Sequence, residues 1–132
     1  MKSQRQNDAA ERQPQTEYLN RVEMRGTVVA EPRFFRVGDC EVARFAVGTQ
    51  YGYRDINGQA VVQNDFFNCS AWSGQPGITD FRDLKKGAFV ALTGRLRNNR
   101  YTDKDGNDRY ITEILCRGLE VLGLTATPEP EK

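Results

Sequence analysis

The chain has 132 residues, 38% of them apolar, and 19 Lys+Arg against 18 Asp+Glu give a formal net charge of +1. That length supports one hydrophobic core but not two, and the balance excludes a polycation, so affinity for nucleic acid would have to come from locally clustered charge. There is no histidine, which removes the commonest general base and a usual zinc ligand. Three cysteines, Cys40, Cys69 and Cys116, include no Cys-x-x-Cys pair, which points to free thiols in a reducing compartment rather than to a metal site. A catalytic role, a metal and a cofactor are therefore not expected. No apolar run is long enough for a membrane helix, and the N-terminus has no apolar segment of the secretory type.

Residues 1–17 are polar and Gln-rich. They cannot bury enough surface to offset chain entropy, so a disordered N-terminal arm is expected there. A folded domain is expected over 18–124, which holds 15 Lys+Arg and 13 Asp+Glu, followed by a short disordered tail over 125–132. The first strand is expected from Arg21 to Val29, with Val22, Met24, Gly26 and Val28 on one face. Pro32, which cannot donate to a ladder, ends it. The following loop, 32–39, sets Phe34 and Phe35 between Arg33 and Arg36, a pattern that suits either a stacking surface or aromatics plugging the core.

A second strand is expected from Glu41 to Gln50, with Ala43, Phe45, Val47 and Thr49 on one face. Tyr51 and Tyr53, two apart, would put both rings on one side of an extended chain, and Asn57-Gly58 is a hairpin-turn signal. The third strand, Val61 to Trp72, has one apolar face of Phe67, Cys69 and Ala71. Its other face runs Phe66, Asn68, Ser70, Trp72, with large aromatics at both ends and polar residues between, which suits a platform for flat ligands. Beyond Gln75-Pro76-Gly77, the spacing of Ile78, Phe81 and Leu84 predicts a short amphipathic helix. Thr79 or Asp80 would cap it, Lys85 and Lys86 would close its last turn, and Gly87 would follow.

From Ala88 to Leu122 the chain reads as a long antiparallel hairpin. Val90, Leu92 and Leu96 alternate on the way out, and Ile111, Leu115, Leu119 and Val121 on the way back. The turn cluster Asp103–Asn107 contains Gly106 for the positive φ such turns require. Arg95, Arg97 and Asn99 line the polar face of the outgoing arm, and Arg100 and Tyr101 lie at its end. This is a place for a phosphate backbone and a base; the same pattern also suits a solvated face on which arginines discourage edge pairing. Five strands with one helix between the third and fourth is the layout of an OB-fold. That is an all-β, five-stranded Greek-key barrel which binds ligands on strands two and three and through the loops joining strands one–two and four–five.

The residues from Tyr18 to Leu122 resemble the bacterial and mitochondrial single-stranded DNA-binding protein family. The resemblance rests on several stretches in the right order. These are Asn20-Arg21-Val22, Asp65 to Trp72, Leu84-Lys85-Lys86-Gly87, Gly94-Arg95-Leu96-Arg97 continuing to Tyr101–Gly106, and Asp108–Ile114. It implies base stacking on Tyr53, Phe66, Trp72 and Tyr101. It also implies phosphate neutralisation by Arg21, Arg54, Lys85 or Lys86, Arg97 and Arg100, to which the hairpin reading adds Arg95. The function implied is sequence-nonspecific single-stranded DNA binding in replication, recombination and repair, by a homotetramer in the bacterial cytoplasm. Asp8, Glu11 and Glu17 make the arm too acidic for a mitochondrial transit peptide.

Three departures from the family pattern stand out. The sequence ends Pro128-Glu129-Pro130-Glu131-Lys132 in place of a long linker and an acidic tip, so recruitment of other replication proteins through such a tip is not expected. Phe67 stands where a subunit-interface histidine is frequent, and the N-terminal arm is longer than usual. The competing readings are an OB-fold module for RNA or for primosome or conjugation assembly, and a protein-interaction adaptor with Trp72 and Phe66 buried in an interface.

Overall fold

Alternating apolar and polar side chains build six strands: β1 (Val22–Val28), β2 (Arg33–Val37), β3 (Cys40–Arg54), β4 (Ala60–Trp72), β5 (Ala88–Thr102) and β6 (Asp108–Leu124). They are seen in a computed structural model that describes residues 17–78 and 80–124. The predicted N-terminal arm, except Glu17, and the predicted C-terminal tail lie outside the described residues. The strands form one sheet in the order β1-β5-β6-β4-β3-β2, and β1 also pairs with β3 through Thr27↔Gly48 and Val28↔Val47. These pairings join β1, β5, β6, β4 and β3 into a circuit, from which β2 stands out as an edge. Every pairing between named strands is antiparallel except the short β4–β6 contact, Cys69↔Ile114 and Ser70↔Leu115.

The core is the inner face of that circuit. Val28, Ala43, Phe45, Val47, Cys69, Ala71, Val90, Leu92, Ile114, Cys116 and Leu119 are buried in one cluster, as the alternation in the first three strands predicts. In β6 it fails midway. The β5–β6 register slips between Thr93 and Gly94, where Thr93 faces Gly118 but Gly94 faces Cys116. Arg117 is therefore extra, a bulge that reverses the facing of everything before it. Leu119 and Val121 point inward as expected, whereas the inward residues on the N-terminal side are Ile114 and Cys116. Leu115 is turned to the outer face and Ile111 is exposed.

Two further expectations are corrected. Among the described residues there is no helix between the third and fourth long strands. Ile78, Phe81 and Leu84 do bury at their helical spacing, but the backbone makes separate turns, Ile78 N to Gln75 O (2.9 Å) and Leu84 N to Phe81 O (3.1 Å). The Asp80 carboxylate accepts from the Arg82 amide at 3.0 Å. That local bond offers the chain a turn instead of a helix, and the segment is too short to repay helix nucleation. Thr79, the other expected cap, lies outside the described residues.

The second correction is the loop 32–39, which contains strand β2, paired residue for residue with β3 from Arg33↔Arg44 to Val37↔Cys40. The sheet therefore has six strands where five were expected. Phe34 sets its ring against Phe81, centroids 6.0 Å apart, but stays 42% exposed, so neither loop aromatic plugs the core.

Candidate nucleic-acid interface

The outer face of the sheet is assembled by register, because residues opposite each other on neighbouring strands share a face. Phe66, Asn68, Ser70 and Trp72 of β4 face outward, opposite Gly48, Ala46, Arg44 and Val42 of β3. Across the parallel contact Ser70 meets Leu115, which meets Arg95. One row across four strands therefore reads Arg44, Ser70, Leu115, Arg95, and Arg97 and Tyr101 follow Arg95 on the same face of β5. Phe66 and Trp72 flank this row at either end of a stretch of about 20 Å, six residues of extended strand. Phe66 is 64% exposed, more than packing within the chain explains.

At the centre sits a group that the sequence reading missed. The side chain of Glu113 is only 1% exposed, on the face it shares with Arg97. It accepts from Arg44 Nη2 (3.2 Å), Arg97 Nε (2.9 Å) and Asn99 Nδ2 (2.8 Å). A carboxylate out of water is tolerable only with such partners. The two guanidiniums stay partly exposed, at 41% and 34%. Glu113 thus holds both arginines in place while each, partly exposed, keeps N–H donors for a second anion. Beside Glu113 the Ser70 hydroxyl is buried without a hydrogen-bond partner.

The remaining expected residues divide. Arg95 is exposed and forms no salt bridge among the described residues. Arg100, one residue out of phase with Arg97 and Tyr101, points from the opposite face of the β5–β6 arm, 3.8 Å from Asp108. Arg21 is exposed just before β1 and lies 3.5 Å from Glu23. Arg54 is exposed and donates to the Gly58 carbonyl at 2.7 Å. Lys85 and Lys86 are exposed on the turns before β5. Tyr53 lies opposite Val61, so register gives it the face of Phe45 and Phe67 rather than that of Phe66 and Trp72. There its ring stacks on Tyr51, centroids 6.0 Å apart at 26°, as their spacing predicts. Phe66, Trp72 and Tyr101 thus share the outer face, and Tyr53 approaches from the other side of the β3–β4 arm.

Both arms end in the same loop. Asp55 Oδ1 accepts from the amides of Asn57 and Gln59, and Asp103 Oδ1 from those of Asp105 and Asn107, each at 2.9 Å. Gly58 and Gly106 supply positive φ, 79° and 84°. The Asp103 carboxylate is held below the usual carboxylate range by its bond from Arg109 and by the Asn107 amide. In the core, the Cys69 thiol is pushed up by its hydrogen bond with Cys116 and by burial, which leaves it a poor nucleophile. All three cysteines are free, and no His/Cys/Asp/Glu group suited to a metal occurs among the described residues. No helix of the described residues is long and apolar enough to cross a membrane.

The chain is similar to known proteins. The chain is 31% identical to single-stranded DNA-binding protein 1 of Streptococcus pyogenes serotype M6, over 78% of this chain and 76% of that one. It is 32% identical to the single-stranded DNA-binding protein of Neisseria meningitidis serogroup A, over 80% of this chain but only 60% of that relative's length. Among solved structures, a Plasmodium falciparum SSB in complex with ssDNA superposes with a TM-score of 0.70 at 24% identity, covering 82% of this chain and 97% of that one. The model of the single-strand binding protein family matches residues 19–122, and the chain belongs to that family.

Proposed function

We infer that this protein binds single-stranded DNA without sequence preference and covers it during replication, recombination and repair. The observation that carries this reading is the outer face on which Phe66, Trp72 and Tyr101 flank Arg44, Arg95 and Arg97. Phe66 and Tyr101 are exposed and Trp72 half-buried; such rings stack on bases of any identity, and arginines between them neutralise phosphates and release counterions. Duplex bases hide their faces, so stacking selects single strands. Tyr53, with Arg54, would engage the strand as it passes round the β3–β4 arm. Arg21, Lys85, Lys86 and Arg100 would add phosphate contacts at the periphery, Arg100 only by leaving Asp108. None of this calls for catalysis.

The closed circuit of strands supports reading the fold as an OB barrel with a Greek-key path, elaborated by β2. A homotetramer is the expected assembly, with DNA passing between subunits, and the bacterial cytoplasm, where free thiols persist, is the expected setting. Competition of oligo-dT, the matched RNA and the matched duplex for a labelled oligo-dT tests the reading. Displacement by the single-stranded DNA at far lower concentration than by duplex is expected. Equal competition by the duplex would refute stacking, and preference for the RNA would reassign the module to RNA. Sedimentation with and without oligo-dT tests the tetramer.

A further inference from the structure

We propose that the nucleic-acid platform extends beyond the barrel strands onto the edge strand β2, where Phe35 stacks an additional base and Arg33 contacts its phosphate. The proposal rests on the single-stranded DNA reading above. Its observation is register: Phe35 lies opposite Val42, and Val42 lies opposite Trp72, so the three occupy one row of the outer face. The next row places Arg33 opposite Arg44, and prolongs the Arg44–Ser70–Leu115–Arg95 row by one more cation.

Burial supports this row. Val42 faces outward and does not belong to the core cluster, yet it is only 3% exposed, because Phe35 and Trp72 flank it. The result is a continuous apolar strip with an aromatic ring on either side. Phe35 itself is 42% exposed. Its neighbour Phe34 is equally exposed at 42% but faces the other way, where its ring meets Phe81, so of the two only Phe35 shares the face of Trp72. Two strand spacings separate Phe35 from Trp72, about 10 Å, a distance that an extended strand of a few nucleotides can bridge. Arg33 is exposed and forms no salt bridge among the described residues. Arg44 on the same row is already paired with Glu113, so the charge left open there is that of Arg33. The occupant that matches an exposed ring beside the unpaired Arg33, in continuity with the Trp72 platform, is the same single strand of DNA.

The test uses the full chain and oligo-dT. Phe35→Ala is expected to weaken binding about tenfold with the salt slope unchanged, as for loss of one base–aromatic stack. Phe35→Leu, which keeps apolar area but has no ring, should lose as much, and Phe35→Trp should bind like the parent. In the Trp72→Phe background, Phe35→Trp is the sole tryptophan, and its emission should quench as oligo-dT is added. Parent-like binding by Phe35→Ala while Trp72→Ala is weakened would overturn the β2 site and leave the platform standing. If neither substitution weakened binding, the platform reading itself would fall. Melting of Phe35→Leu like the parent, expected because leucine keeps Val42 covered, confirms that affinity and not folding is being read.

Discussion

Replacing Glu113 by glutamine separates the two roles assigned to the buried carboxylate, because they predict effects of opposite sign. In the best orientation of the new amide, its oxygen keeps the bonds from Arg97 and Asn99, made at 2.9 and 2.8 Å, while its NH2 group confronts Arg44 Nη2, 3.2 Å away. One charge-assisted hydrogen bond is lost outright, and the other two become neutral on their acceptor side. Breaking a fully buried pair costs about 3–5 kcal/mol. Arg44 and Arg97 are partly exposed, at 41% and 34%, and can turn to water, so about 2 kcal/mol is the expected loss. For a fold of this size that lowers the melting temperature by about 8 °C. On the DNA side, both arginines remain and their counter-charge is gone. The plot of log affinity against log salt should steepen by up to about one unit, with tighter binding at low salt. Thermal unfolding followed by circular dichroism, and oligo-dT titrations at several salt concentrations, read the two effects. An unchanged melting temperature together with an unchanged slope would refute the assignment of Glu113 as the organiser of the arginine face.

Arg95→Ala, which breaks no ion pair, should flatten the salt slope by about one unit without altering stability; Arg97→Ala should do the same but also destabilise, by stripping Glu113 of a partner. An unaltered slope in both would remove β5 from the phosphate path. Gly94→Ala places a Cβ against the Leu115 carbonyl group at the register slip, and should cost about 2–3 kcal/mol in urea unfolding; a neutral result would contradict that close approach. The folded Asp103 titrates below its ordinary value of 3.8. Its contribution to the β5–β6 tip is thus complete above that value and is lost as pH falls through the lower folded one. Amide protection at Asp105 and Asn107 should disappear in that acid window and not nearer neutrality. Cys69 and Cys116 should be alkylated by iodoacetamide only as fast as the fold opens, with half-buried Cys40 reacting first; rapid labelling of Cys69 would contradict its place in the core.

The alternation of the first three long strands was legible because it is uninterrupted: Phe67, Cys69 and Ala71 go in, and Phe66, Asn68, Ser70 and Trp72 go out. In β6 the bulge at Arg117 is signalled only by Gly118 beside it, a glycine inside a strand that admits a bulge without fixing one, and so the inward positions before it were assigned one residue out of phase. The helix expected at Ile78–Leu84 was a correct apolar spacing on an incorrect backbone, since buried turns can present every third residue as a helix does. Strand β2 is five residues long and exposed throughout, and with Phe34 and Phe35 adjacent and apolar on opposite faces it shows no hydrophobic alternation to detect. At the site, Trp72, Phe66 and Tyr101 could be singled out as aromatics on polar faces. The network through Glu113 joins β3, β5 and β6 across 69 residues of sequence. Only the folded register brings those partners together, as it alone separates Arg100 from Arg97.

Trp72 is the only tryptophan, and the titration of its fluorescence with oligo-dT at two salt concentrations tests the central claim most directly. Deep quenching that weakens sharply at the higher salt is the predicted result, with the ring stacked on a base and the arginines holding phosphates. Emission that stays constant while a mobility shift also fails to appear would contradict the account, and would leave Trp72 and Phe66 as contacts for a protein surface.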